Sequence, residues 1–128
     1  MSSEFTILTI YGLFMMLTIV LQVLAAMGQV GMMQLFSSRD SMPRLDGLAG
    51  RLDRAQMNNV VAMALFAPAV LLLGEVAGSA DTVLAAQIFL IARVLYVIVY
   101  AAGISVVRTL AWTVGFLATG YLYLLQLI

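Results

Sequence analysis

Arg93 lies near the middle of an apolar run, residues 83–102, that holds no lysine, histidine or acid to neutralise it. That run of 20 residues, at about 1.5 Å per residue, spans roughly 30 Å, the thickness of a bilayer core. Arg93 is thereby set near the midplane, where an arginine costs between about 3 and more than 10 kcal/mol and usually faces protein, a ligand or a water-filled path. At about 100° per residue, Arg93, Tyr96 and Tyr100 share one narrow arc, and Arg51, Arg54 and Asn58 share another. Arg108 and Trp112, one helical turn apart, make a third and weaker stripe. Taken singly, Arg51 and Arg54 read as interfacial anchors, and Tyr100 and Trp112 as members of an aromatic belt. Arg93 does not fit that account, because it would have to cross about 15 Å to reach the headgroups. A joint site is the more economical reading. Guanidinium groups without a facing carboxylate make an electropositive pocket that suits planar anions such as carboxylates or phosphates.

The elements that must position these residues follow from composition. The chain has 128 residues, 64% apolar and only 9% charged, where a soluble domain carries about half apolar and a quarter charged. Four apolar stretches, about 5–36, 52–77, 83–102 and 104–127, predict an all-α membrane protein. The expected fold is one domain over 1–128: a four-transmembrane-helix bundle with antiparallel neighbours and a polar loop at 37–51. The first stretch has no basic lead and no short apolar segment with a cleavage site, so it reads as a retained span rather than a signal peptide. Pro68, inside the second stretch, predicts a kink that membrane helices tolerate.

Arg39, Arg44, Arg51 and Arg54 cluster around the first connection, whereas the second carries Glu75 and Asp81. By the positive-inside rule the first connection is cytoplasmic, both termini lie on the non-cytoplasmic side, and the arginine stripes occupy the cytoplasmic half of the bilayer. Cysteine and histidine are absent. Disulfides, thiol redox chemistry, most transition-metal sites and histidine acid-base catalysis are therefore not expected, and no metal is assigned. Any reactive group must arrive with a ligand. No acid lies deep within the stretches, which argues against a small proton-coupled exporter. The expected partners are membrane lipids rather than nucleic acid. Short loops without retention signals point to a bacterial inner membrane.

Arg51-Leu-Asp-Arg54-Ala-Gln-Met-Asn58, leading into Phe66-Ala-Pro68, resembles the second-helix signature of the MAPEG family, the membrane-associated proteins in eicosanoid and glutathione metabolism. Ala92-Arg93-Val-Leu-Tyr96-Val-Ile-Val-Tyr100 and Arg108-Thr-Leu-Ala-Trp112 are similar to the family's third- and fourth-helix patterns. The resemblance implies a homotrimer that binds glutathione as co-substrate between subunits and acts on a lipophilic electrophile, as a transferase or peroxidase. It also implies that Arg51, Arg54, Asn58, Arg93, Tyr96 and Tyr100 hold the peptide and that Arg108 stabilises its thiolate. A thiol of pKa near 8.5 needs a shift of about two units, roughly 2.7 kcal/mol, to ionise largely at neutral pH. One cation within about 4–6 Å supplies that. The sequence departs from glutathione-using members at Val61, where they carry a glutamate, at Ala62, where several carry a tyrosine, and at Gly28-Gln29-Val30-Gly31, where several carry an arginine. Val61 favours the alternative, a non-enzymatic relative that binds a lipid or another anionic amphiphile.

Overall fold

The structure, a computed structural model, describes residues 2–37 and 44–128. The expectations for Arg39 and for the middle of the 37–51 connection fall on residues outside these. The described residues form five helices: α1 (Ser3–Val30), α2 (Met32–Phe36), α3 (Gly47–Leu71), α4 (Ala80–Ala101) and α5 (Ser105–Leu125), with a 3-10 turn at Gly74–Val76. Of these, α1 and α4 are long and apolar enough to cross a membrane.

Helix boundaries differ from the sequence reading for local reasons. The stretch expected as one helix over 5–36 breaks at Gly31, whose φ of 88° and ψ of 157° turn the chain out after its N–H has closed the last turn on Met27. The helix expected from 52 begins at Gly47, after Asp46 in extended backbone, so Arg51 and Arg54 lie in its second turn and beyond. It ends at Leu71, one turn after Pro68, rather than at 77. There Tyr123 of α5 donates to the Leu65 carbonyl and Gln126, the residue just past α5, to the Ala69 carbonyl, so side chains at this end of α5 serve the backbone of the last stretch of α3. Ser2 and Ser79 cap α1 and α4 by accepting from the N–H of Phe5 and Thr82.

Cross-helix hydrogen bonds define the packing. Gln29 bonds Asp46 at one end of α1 and Tyr11 bonds Asn59 further along, so α1 and α3 run antiparallel. Arg51 reaches the end of α4 and Asn58 its middle, which makes α3 and α4 antiparallel too. At the opposite end, Glu4 accepts from Thr82, setting the starts of α1 and α4 side by side. The core between them is aromatic: Phe66 stacks on Phe89 at 3.8 Å and Tyr11 meets both rings edge-on. Tyr11 is thereby fixed directly beneath the polar residues of α3.

Candidate functional site

Arg93 is 2% exposed, and its surroundings answer what so deep a charge faces. Its Nε donates to Asn59 Oδ1 at 3.0 Å, and Nη2 donates to Asn59 Oδ1 at 2.7 Å and Asn58 Oδ1 at 2.8 Å. The guanidinium also lies over the Tyr96 ring, 4.2 Å from its centroid. Hydrogen bonds to a charged group contribute about 1.5–3 kcal/mol each, and a desolvated cation–π contact adds roughly 2 kcal/mol. Their sum is of the same order as the cost of the buried charge. Neutral amides and a ring therefore hold Arg93 without a carboxylate. Gly115 makes room for it, since a Cβ there would stand 3.3 Å from Arg93 Cδ.

This contact also fixes the Asn58 amide. A guanidinium has only donors, so the Asn58 atom facing it must be the oxygen, and the NH2 group is left to donate elsewhere. Asn59 is oriented the same way, and its oxygen additionally accepts from the Tyr11 hydroxyl at 2.9 Å. Asn59 and Tyr11 were not among the residues singled out by sequence. The available signal was in the first helix, where Glu4, Tyr11, Thr18, Gln22 and Gln29 recur at intervals of seven, seven, four and seven residues.

Nearer the Gly103 end of α4 a second group forms around Tyr100. Arg54 Nε donates to the Tyr100 hydroxyl at 3.1 Å, and the Arg108 guanidinium lies 4.6 Å from the Tyr100 ring centroid. Arg54 from α3 and Arg108 from α5 thus meet on one tyrosine of α4. Tyr96 joins the two groups, with its ring edge-on to Tyr100 at 5.5 Å. Arg51 is engaged differently: its Nε donates to the Ala101 carbonyl at 2.9 Å, one of the carbonyls the end of α4 leaves open. Trp112 stacks on Phe116 rather than joining the arginines. Among the described residues no cluster of potential metal ligands occurs.

Helix pairing has brought residues 51–58, 93–100 and 108 to one end and one side of the molecule. The sequence matches the family model of the MAPEG family over residues 6–128. The chain belongs to the MAPEG family. A search of curated proteins found no match. Nor did a search of solved structures. As a MAPEG protein it is a membrane-associated relative of a family of eicosanoid and glutathione metabolism. Its helices present the second-, third- and fourth-helix polar residues as connected contacts.

Proposed function

We propose that this MAPEG protein spans the membrane four times through α1, α3, α4 and α5. In this reading it assembles as a homotrimer, probes the cytoplasmic half of a bacterial inner membrane with its arginine face, and there joins glutathione to a lipophilic electrophile. The observation that carries the reading is the convergence of Arg54 and Arg108 on Tyr100, next to Tyr96 over Arg93, with no carboxylate among these contacts. Arg51, Arg54 and the Asn58 NH2 suit the two carboxylates of glutathione, and Arg93 orients Asn58 for that purpose. Arg108 favours the thiolate, whose sulfur then forms a bond to the electrophilic carbon as the leaving group departs with its electron pair.

The ammonium of glutathione fits less well, because Val61 and Ala62 stand beside Asn58 where an acid would serve it. That observation favours the second reading, a non-enzymatic protein that holds a lipid or other anionic amphiphile. Titration of glutathione into the detergent-purified protein, followed by thiolate absorbance, separates them. Saturable ionisation that is lost in Arg108→Ala supports the transferase. No binding at millimolar glutathione overturns it in favour of the amphiphile.

A further inference from the structure

The side of α4 and α5 turned away from Arg93 carries two matched stripes. From Asp81 on α4 and from Val107 on α5, the residues that line it recur at i, i+3, i+4, i+7, i+10, i+11 and i+14. The stripes run in opposite directions, so Ala85 shares a recess with Ala118 and Ala92 shares one with Ala111. Ala85, Ala92 and Ala118 are buried and Ala111 is half-buried, whereas Leu84, Ile91, Leu110 and Leu117 beside them are more than half exposed. The alanines therefore make a floor and the larger residues two walls. Recesses of about 360 and 310 Å³ meet at Ile88 and Val114 and form one apolar groove. Ile91 and Leu95, two residues to either side of Arg93, lie about 160° from it round the helix. The groove is thus separate from the arginine face.

Only one end of the groove is polar. Asp81 and Tyr121 stand there, whereas Leu95 and Val107 close the other end. Asp81 also lines an adjoining recess with Glu75, Ser79 and Thr82, and no arginine lines either space. The N-terminus of α4 is already served by Ser79 and by Glu4, whose carboxylate accepts from the Gly78 N–H and the Thr82 hydroxyl. It attracts no further anion. From Asp81 to the level of Arg93 the helix rises about 18 Å, close to the roughly 15 Å that one leaflet contributes to the bilayer core. The groove runs from the polar edge of one leaflet to the midplane, with its acids at the edge.

We propose that this groove holds an acyl chain of a phosphatidylethanolamine, with the headgroup ammonium on Asp81 and Glu75 and the Tyr121 hydroxyl donating to the phosphate. An ammonium makes charge-assisted hydrogen bonds to carboxylates, whereas an anionic glycerol headgroup brings its phosphate to the same acids uncompensated. Both lipids offer the same chain, so the headgroup decides between them. The proposal rests on the reading that α4 and α5 span the bilayer, and on neither glutathione nor orientation.

Cysteine is absent, so Leu117→Cys on the groove wall takes a single bimane label. Leu13→Cys, on the exposed side of α1, carries the comparison label. The full chain is reconstituted in dioleoylphosphatidylcholine vesicles with a small fraction of phosphatidylethanolamine or phosphatidylglycerol whose brominated chains quench a fluorophore they touch. At Leu117 the ethanolamine lipid should reach half-quenching at a mole fraction about threefold lower than the glycerol lipid, a difference of the size of one exposed ion pair. At Leu13 the two should be equal. Asp81→Asn should remove the preference and Asp81→Glu should keep it, with helical content unchanged in both. If the asparagine variant does not fold, Glu75→Gln makes the same comparison. Equal quenching by both lipids at Leu117 overturns the proposal, as does the same preference at Leu13 or one that survives in folded Asp81→Asn. Quenching at Leu13 with none at Leu117 overturns it in favour of a second copy of the chain covering the groove. Quenching at neither position removes the membrane-spanning reading itself, and this proposal with it.

Discussion

Asn59 Oδ1 receives the Arg93 Nε, the Arg93 Nη2 and the Tyr11 hydroxyl, while Asn58 Oδ1 receives one Arg93 bond. The two adjacent asparagines are therefore unequal, and the one on the ligand side contributes less to the fold. Asn59→Leu removes two bonds to the buried charge and should lower unfolding stability by about 3 kcal/mol, against about 1.5 kcal/mol for Asn58→Leu. Unfolding in mixed micelles with rising dodecyl sulfate measures both. A larger loss in Asn58→Leu would show that Asn59 is not the chief support of Arg93. The sequence made Asn58 legible because it shares the arc of Arg51 and Arg54. Asn59 lies about 100° away from it and so outside that arc. Tyr11 is hidden for a different reason: it stands among apolar neighbours of the first helix, and its partner Asn59 is 48 residues away in sequence.

Helix packing sets how closely those residues approach. The long apolar runs made the helices easy to foresee, but their ends depended on single positions: the left-handed Gly31, the extended Asp46, and Pro68 close to the end of α3. A hydropathy run does not record these, because termination is a matter of backbone angle and missing donors rather than of transfer energy. Gly115 has the same character. It is one small residue in α5, and the Arg93 side chain packs closely against it. A Cβ at this site would meet Arg93 Cδ at 3.3 Å and Ala92 Cβ at 3.7 Å, contacts that a small shift of the arginine chain relieves. Gly115→Ala should accordingly stay within about 1 kcal/mol of the parent, helped by the better helix propensity of alanine. Gly115→Leu cannot be relieved so simply and should destabilise by about 1–3 kcal/mol while displacing Arg93 from Asn58. Paired unfolding curves test this. An unaffected leucine variant would mean that Arg93 does not need that space.

Considered whole, the molecule is turned inside out relative to a soluble bundle. On α1, Glu4 is 0% and Thr18 5% exposed while Leu13 is 63% and Met16 65% exposed. Buried polar seams with apolar exteriors are what lipid selects, since hydrocarbon offers polar groups no partners and apolar groups no penalty. This inversion makes the membrane setting legible from sequence and structure alike, but it carries no direction. Orientation rests on charge alone: the arginines around the first connection against Glu75 and Asp81 at the second. The absence of cysteine makes that argument testable without background labelling, because one introduced thiol is the only one present. In intact cells, a membrane-impermeant maleimide should label Leu127→Cys, which lies beyond the end of α5 at 85% exposure. It should label Ser37→Cys, just past α2, only after the membrane is permeabilised. The reverse pattern would put Arg54, Tyr100 and Arg108 in the outer half of the bilayer. Cytoplasmic glutathione could not reach them there, so the same labelling experiment decides whether the arginine face meets the ligand proposed for it.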